Sequence, residues 1–421
     1  MPSIRIIFHI IKKIMQLLNH IHHFEAFQTP FYYYDMDLLR KTLDVLIREA
    51  ARYHYIIHYA LKANTDDRVL QVIQETGLGA DCVSGNEVQK ALASGFNPGL
   101  VYFAGVGKTD PEIRTGIRGR IGCFNCESIQ EMQVLNQLAA EEDQKIRMAL
   151  RINPDLQSDT HQYITTGSRE NKFGIQIWEL NDVLDALPQM PYLELVGLHV
   201  HIGSQIIDLA VFRNLCHKVN ELNQFFFDRS FKLPILNLGG GLGIDYHQPD
   251  HHAIPGFESF FKLIHSTLKP KSWQTVHFEL GRSIVGQMGS LISRVLYVKK
   301  GINRDFAVLD AGMTELIRPA LYGSYHQISN LSKSGQPIQT DRSYDVVGPI
   351  CETADFLGKG ISLPQTERND LMVVRSVGAY GQSMSSNYNL RSAARVVHSD
   401  DLRDRSKPKQ QTDSDRKEQT G

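Results

Sequence analysis

The sequence has few cysteines, no excess of one charge and no apolar stretch long enough to span a bilayer. Its five cysteines are odd in number and scattered, which argues against a disulfide framework and favours a reducing compartment, so we expect a cytoplasmic protein. The 45 Lys and Arg residues almost match the 46 Asp and Glu residues, and this balance predicts neither nucleic acid nor a membrane as a partner. With 42% apolar and 22% charged residues in 421, the composition excludes collagen, coiled coil and wholesale disorder.

The two ends of the chain differ from its middle. Over residues 1–23 the apolar runs are too short for a bilayer-spanning helix of ~20 residues, and no small-residue cleavage site marks a secretory signal. We interpret residues 1–23 as an extension without structure, with an amphipathic helix as the alternative. Residues 399–421 are polar and mixed in charge, and they are predicted to form a disordered tail.

Between these ends, short apolar segments alternate with helical ones. The first helix is predicted to begin at Asp37 as its N-cap, and Ser84 and Ser128 have the spacing of capping boxes with Glu87 and Glu131. Eight such strands predict an α/β fold with a (β/α)₈ barrel, although a doubly wound open sheet would show the same alternation. The strands are predicted near residues 55–61, 78–83, 100–104, 119–124, 145–152, 193–200, 234–238 and 274–279.

After about residue 284 the segments become short and β-branched, without long helical periodicity between them. This texture predicts a second, mostly β domain at the carboxyl end of the chain. We assign residues 38–283 to the barrel, which would bind a cofactor, and residues 284–398 to the β domain. Residues 24–37 would supply a strand that joins the β domain.

Unusual residues follow several of the predicted barrel strands, where the working residues of such barrels lie. Taken singly, a lysine, a histidine pair or a glycine run at a strand end has a structural explanation. All of these residues are predicted to lie at the same end of the barrel. This shared position indicates an amine that faces an anion-binding pocket built from glycine amides. A carboxylate beside that pocket fits the ring nitrogen of pyridoxal 5'-phosphate. The residues are Lys62, Asp81, His199, His201, Ser204, Gly239–Gly243, Glu279, Gly281 and Arg282.

Seven motifs in order resemble the diaminopimelate decarboxylase family, which belongs to the alanine-racemase-like pyridoxal-phosphate enzymes. The resemblance covers about residues 28–392, and it implies a (β/α)₈ barrel with a β domain. It also implies decarboxylation of meso-2,6-diaminopimelate to L-lysine and carbon dioxide, the last step of lysine biosynthesis. The motifs are Tyr59–Asn64, His199–Gln205, Gly239–Gly243, Glu279–Arg282, Arg318–Tyr322, Cys351–Glu352 and Gly378–Tyr380.

Roles for the cofactor-binding residues follow from the resemblance. Lys62 would hold the cofactor covalently, His201 would stack on its ring, and Glu279 would pair with the protonated ring nitrogen. Asp81 is counted with this cofactor-binding set because the second predicted strand carries it at the same rim. The residues expected around the phosphate are Ser204, Gly240, Gly241, Gly281, Arg282 and, from the β domain, Tyr380.

The resemblance also implies how the substrate is held. Arg282, Arg318 and Tyr322 would bind its distal carboxylate, with Tyr380 nearby, and Glu352 would bind its distal ammonium. Cys351 would protonate the carbanion left by carbon dioxide, and in this family it comes from the second subunit. We therefore expect a homodimer with its active sites at the subunit interface.

Two other functions stay open. A decarboxylase of another basic amino acid or polyamine precursor would share the scaffold, but its substrate has only an ammonium at the far end, which leaves Arg318 without a partner. A non-catalytic relative would need neither Lys62 nor Cys351. No metal is expected, because Cys123 and Cys126 have the spacing of a zinc pair but no second pair follows.

Overall fold

The computed structural model describes residues 21–156, 171–338 and 343–406, so residues 1–20 of the predicted extension and residues 407–421 of the predicted tail lie outside the described residues. Residues 21–23 of the extension belong to a short helix, Ile21–Glu25, so the expectation that they lack structure is wrong. Within these ranges the chain forms a closed barrel of parallel strands and a second, mostly antiparallel sheet. The predicted fold class is therefore confirmed.

The barrel contains eight parallel strands in the order in which they occur along the chain. Its first and last strands pair, Ile57 lying opposite Phe278, so the open doubly wound sheet is wrong. Closure buries both faces of the strands, which explains why they read as continuous apolar runs. The strands are β2 (Ile56–Ala60), β3 (Gly79–Cys82), β4 (Val101–Phe103), β5 (Cys123–Cys126), β6 (Ile146–Arg151), β7 (Leu193–His199), β8 (Ile235–Asn237) and β9 (Thr275–Leu280).

Helices before and between these strands cover the outside of the barrel. They are α2 (Met36–Ala51), α3 (Asp67–Gln74), α4 (Gly85–Ala93), α5 (Asp110–Arg118), α6 (Ile129–Glu141), α7 (Leu180–Ala186), α8 (Leu209–Asp228) and α9 (Phe257–Thr267), with the short α10 (Arg282–Val285) after β9. Ser84 and Ser128 cap α4 and α6 as predicted. The cap predicted at Asp37 is wrong, because Asp35 has the extended backbone of an N-cap and accepts the amide hydrogen of Leu38.

The second sheet is built mainly from the last third of the chain. Its strands are β1 (Phe31–Tyr34), β10 (Gly289–Lys299), β11 (Asp305–Leu309), β12 (Ile328–Asn330), β13 (Tyr344–Val347), β14 (Phe356–Ile361), β15 (Leu371–Arg375) and β16 (Arg395–His398). Its main path runs β12-β15-β10-β11-β13-β14, and β1 joins it by pairing antiparallel with β10 and parallel with β16. β1 therefore connects the amino-terminal segment to the β domain.

Three helices in the described part of the chain lie outside the barrel. They are α1 (Ile21–Glu25), α11 (Arg318–Tyr322) and α12 (Ser399–Ser406).

Helix α12 corrects the predicted tail, which was expected to be disordered from residue 399 onward. Leu402 is buried in a cluster with Phe24 and Phe31, and the hydroxyl of Ser399 accepts the amide hydrogen of Met36 at 3.0 Å. Asp400 pairs with Arg40 across 2.8 Å. The polar residues of α12 thus contact the rest of the protein as well as water, and Leu402 packs into the apolar cluster.

A buried histidine pair lies inside the barrel, two residues below Glu279 along β9. His58 Nε2 is 2.9 Å from His277 Nδ1, and His58 Nδ1 is 3.0 Å from the carbonyl oxygen of Leu100. Because that carbonyl can only accept, His58 donates to it from Nδ1, and in the neutral rings His58 Nε2 then accepts from His277 Nδ1. Burial accordingly lowers the pKa of His58 to about 4 and that of His277 to about 3.

We expect this pair to make the fold sensitive to acid. Below the ordinary histidine pKa of ~6.5 the unfolded chain binds protons that the folded pair refuses, so stability falls as the pH drops from ~6.5 toward ~4. The loss is about 2 kcal/mol for each ring at pH 5, measured as the free energy of unfolding in urea. The double variant His58→Leu/His277→Leu should flatten this dependence, whereas His251→Leu, at an exposed position, should leave it intact. An equally steep dependence in the double variant would contradict the assignment.

Candidate active site

A cavity of about 310 Å³ opens at the carboxyl ends of the barrel strands, where the β domain covers the barrel. It is of the size that small-molecule sites have. Most of the predicted site residues line it, although they come from distant parts of the sequence. These are Lys62, His201, Ser204, Glu279, Arg282, Arg318, Tyr322 and Tyr380.

Lys62 lies in a short 3₁₀ turn, Leu61–Ala63, directly after β2. Its Nζ donates to Asp81 Oδ2 at 2.7 Å, and Asp81 is fully buried on the neighbouring strand β3. Burial by itself would lower the pKa of Lys62, but the negative charge of Asp81, with Tyr380 and Glu279, raises it. The other carboxylate oxygen of Asp81 has no hydrogen-bond partner among the described residues. Lys62 is therefore held as an ammonium against one side of the cavity.

Glu279 projects from β9 into the floor of the cavity and accepts three hydrogen bonds. Its Oε1 accepts from Asn125 at 3.1 Å and from Asn237 at 2.7 Å, while Oε2 lies 2.9 Å from His199 Nε2. Burial would raise the pKa of Glu279, but the charge and hydrogen bond of His199 lower it. The carboxylate is therefore kept ionised, which suits a partner for a protonated ring nitrogen.

The three residues that hold Glu279 were missing from the predicted site. His199 was noted at a strand end without a role, and Asn125 and Asn237 were not considered. The available signal was an asparagine inside an otherwise apolar strand, since both residues lie within β5 or β8. A buried amide of this kind needs a polar partner.

Glycines and a serine form the opposite part of the site. The amide of Gly240 donates to His201 Nδ1 at 3.1 Å, and Ser204 Oγ accepts from Arg282 Nε at 3.2 Å. Gly241 has a φ of 113°, which other residues rarely adopt. Gly281 begins α10 beside Ala63, close to Lys62. Amides and a hydroxyl at a strand-to-helix junction suit a phosphate group.

Gly240→Ala should abolish tight cofactor binding. A Cβ at position 240 would lie 2.0 Å from the carbonyl oxygen of Glu279, so β9 and the glycine segment would have to separate. We expect the dissociation constant for pyridoxal phosphate, measured by absorbance titration, to rise by about 100-fold, or the thermal midpoint to fall by several degrees. Gly107→Ala is the matched control, because a Cβ there meets nothing within 4 Å. Wild-type affinity and stability in Gly240→Ala would contradict this geometry.

Two buried arginines give the cavity a cationic end. Arg282 lies 4.8 Å from the ring of Tyr380, and Arg318 lies 5.6 Å from the ring of Tyr322. Burial lowers the pKa of Arg318, and its Nε has no hydrogen-bond partner among the described residues. Tyr246, which the sequence analysis did not select, accepts a hydrogen bond from Arg282. A buried guanidinium with an unused donor fits a carboxylate ligand.

Cys351 and Glu352 are not brought to this cavity by their own chain. Both are exposed in the β domain, where Glu352 accepts from the hydroxyl of Tyr388 at 2.8 Å. The other four cysteines are buried. The role of Cys351 thus needs a second subunit, as the resemblance implies, and that assembly stays a prediction.

The described parts of the chain contain no group of three or more potential metal ligands. They also contain no helix that is both long enough and apolar enough to cross a membrane.

Comparisons with known proteins agree with this geometry. The family model described as "Pyridoxal-dependent decarboxylase, pyridoxal binding domain" matches residues 39–286. The diaminopimelate decarboxylase of Bacteroides thetaiotaomicron is 50% identical over 380 residues, which cover 90% of this chain and 97% of that protein. The chain belongs to the diaminopimelate decarboxylase family.

Solved structures of this family share the fold. The Helicobacter pylori diaminopimelate decarboxylase complexed with L-lysine has a TM-score of 0.84 at 35% identity, covering 90% of this chain and 93% of that one. A lysine/ornithine decarboxylase from Vibrio vulnificus has a TM-score of 0.77 at 19% identity, covering 92% of this chain and 98% of that one. The second likeness shows the fold alone.

This chain is therefore a pyridoxal-phosphate-dependent carboxy-lyase, and its residues fit the cofactor. The cavity offers an amine, an ionised carboxylate and an imidazole wall from Lys62, Glu279 and His201. Asp81 contacts Lys62 through Oδ2, and His199 contacts Glu279 through Nε2. The other polar atoms of these side chains, Asp81 Oδ1 and His199 Nδ1, are buried without a hydrogen-bond partner among the described residues. Each functional group of the cofactor thus has a chemically suited counterpart.

Proposed function

We propose that this chain removes carbon dioxide from meso-2,6-diaminopimelate and releases L-lysine, the last step of lysine biosynthesis. The observation that carries the choice of substrate is the pair of buried guanidinium groups, Arg282 and Arg318, in the wall of the cavity that contains Lys62. A substrate with a distal carboxylate satisfies them. A substrate whose distal end is only an ammonium would leave at least Arg318 unpaired, which is costly for a buried charge.

The residues of the cavity divide the work of binding. Lys62 holds the cofactor through its amine, and Ser204 with the amides of Gly240, Gly241 and Gly281 binds the phosphate, assisted by Arg282 and Tyr380. His201 packs against the ring. Pyridoxal phosphate, when bound, supplies an electron-withdrawing ring that accepts the electron pair left behind by carbon dioxide.

Glu279 keeps a proton on the ring nitrogen, because its anionic carboxylate is fixed by Asn125, Asn237 and His199 and favours a cationic partner. Asp81 contributes the contact that orients Lys62.

A second subunit completes the proposed site. Cys351 of that subunit donates a proton from its Sγ to the carbon that has lost carbon dioxide, and Glu352 binds the distal ammonium. Arg282, Arg318 and Tyr322, with Tyr380, hold the distal carboxylate. The protein would therefore act as a homodimer, and the cytoplasmic location expected from its cysteines also stays a prediction.

A substrate panel tests this function against the alternative. Purified protein with pyridoxal phosphate is incubated with meso-2,6-diaminopimelate, L-lysine or L-ornithine, and released carbon dioxide is measured. We expect release from the first substrate alone. Release from lysine or ornithine at a higher kcat/KM would support a decarboxylase of basic amino acids instead.

Arg318→Met should lower kcat/KM for meso-2,6-diaminopimelate by about 100-fold or more, since a charge-assisted contact to the substrate is lost. Cofactor absorbance should be kept. Arg304→Met serves as the control, because Arg304 pairs with Asp345 on an exposed part of the β domain. Equal kinetics in both variants would contradict the role of Arg318.

A further inference from the structure

Glu127 is a buried carboxylate at the barrel rim that has no part in the proposed chemistry. It follows β5 directly, and its side chain is 3% exposed. A carboxylate in such a place needs several donors to remain stable. The identity of those donors indicates what Glu127 does.

Three separate segments donate to this one carboxylate. The amide of Gly105, after β4, donates to Oε1 at 3.0 Å, and Arg151 Nη1, at the end of β6, donates to the same oxygen at 2.6 Å. The amide of Gly174 donates to Oε2 at 2.8 Å. Glu127 therefore forms hydrogen bonds to three segments that are distant from one another in the sequence.

Each of these segments contributes to the wall of the cofactor cavity. Gly105, Arg151 and Phe173 line the same cavity as Lys62 and Glu279. The guanidinium of Arg151 also packs over the ring of Phe173 at 4.6 Å. Glu127 lies behind this lining, so its influence on the cavity passes through the residues it holds.

The backbone around Gly174 leaves little freedom for another arrangement. Gly174 has a φ of 78°, and a Cβ there would lie 2.8 Å from the amide nitrogen of Asn153. Asn153 donates to the carbonyl of Ile175, and Ile175 donates to that of Arg151, both within 2.9 Å. Backbone hydrogen bonds thus fix the segment that carries Phe173 to the end of β6, and the hydrogen bond from Gly174 to Glu127 holds it further.

The negative charge of Glu127 has a second effect, because it compensates the charge of Arg151. Arg151 is buried, and removal of its anionic partner would leave an uncompensated cation beside the cavity. The charge of Arg151 also acts on His201. Burial is the largest cause that lowers the pKa of His201, and the charge of Arg151 is the next largest. Orientation of Arg151 therefore bears on the imidazole that packs against the cofactor.

We propose that Glu127 is a positioning residue for the cofactor cavity, acting through Arg151 and the Phe173–Gly174 segment. The inference rests on the proposed function only in that the cavity takes pyridoxal phosphate. It predicts that loss of the carboxylate weakens cofactor binding without unfolding the barrel.

The test compares Glu127→Gln with the wild-type protein in three measurements. The dissociation constant for pyridoxal phosphate should rise by about 10-fold or more, as for residues that orient ligand-contacting groups. In the cofactor-free protein, hydrogen exchange at the Gly174 amide should accelerate by about 10-fold, while the circular dichroism stays unchanged. Glu112→Gln is the matched control, because Glu112 also accepts amide hydrogens at the rim, from Gly85 and Thr109, away from the cavity.

A double-mutant cycle separates this role from general stability. Because Glu127 acts through Arg151 as well as through Gly174, the double variant Glu127→Gln/Arg151→Met should lose less affinity for the cofactor than the two single losses combined. Fully additive losses, or unchanged affinity and exchange in Glu127→Gln, would overturn the proposal. Glu127→Asp, which withdraws the charge by one methylene, enters the same cycle if Glu127→Gln does not fold. Failure of the wild-type protein to bind pyridoxal phosphate would instead overturn the proposed function.

Discussion

Lys62→Ala is expected to eliminate both the visible absorbance of the cofactor-bound protein and carbon dioxide release. Among the described residues that line the cavity, Lys62 supplies the primary amine that can attach an aldehyde covalently. Loss of that amine should reduce kcat by at least ~10³-fold, the scale on which removal of a covalent catalytic group acts. Absorbance spectra and carbon dioxide release measure the two effects on the same sample.

Lys218→Ala is the matched control. Lys218 lies on α8 and pairs with Glu221 of the same helix, and it does not line the cavity, so its removal leaves the cavity intact. Full absorbance and activity should persist in that variant. An unchanged visible spectrum in Lys62→Ala would show that another group holds the cofactor, and the assignment of the site would be wrong.

Mixed dimers should recover activity from two inactive variants. Lys62→Ala and Cys351→Ala chains, co-expressed with different tags, should yield hybrids in which one of two sites has both Lys62 and Cys351 intact. At equal amounts the activity should reach about one quarter of the wild-type value, since about half of the dimers are hybrids. The physical reason is the exposure of Cys351 away from the cavity of its own chain.

A second mixture distinguishes a shared site from simple stabilisation. Lys62 and Glu279 line the cavity of the same chain, so hybrids of Lys62→Ala with Glu279→Ala have a defect in each site. That mixture should stay inactive. Activity in both mixtures, or in neither at any ratio, would argue against a site completed by the second subunit.

Several features of the site were visible in single residues of the sequence. Lys62, His201, Ser204 and Glu279 follow apolar runs, and strand ends at one rim of a barrel are neighbours whatever their separation in sequence. The sequence analysis did not select Asn125, Asn237, Glu127 or Tyr246. Their roles depend on which strand faces which across the barrel, and a linear pattern contains no information on that.

Helix ends and the carboxyl terminus show the same limit on a smaller scale. Asp35 and Asp37 are equally good caps by residue type, and the backbone at the end of β1 decides between them. Residues 399–406 read as disordered because they are polar. Their helix is stabilised by tertiary contacts, since Leu402 packs into an apolar cluster with Phe24 and Phe31.

The alternation of apolar and helical segments, the glycines and the strand-end residues favoured a barrel with a β domain and a phosphate-bearing cofactor, although an open doubly wound sheet fitted the same alternation. Local patterns report burial and backbone conformation, which are properties of a residue and its neighbours in the chain. Three arrangements were decided by tertiary structure alone: the three hydrogen bonds that Glu279 accepts, the three that Glu127 accepts, and the separation of Cys351 from Lys62. The first two arise because the strands of the closed barrel bring distant side chains together. The third arises because Cys351 lies in the β domain, exposed and outside the cavity.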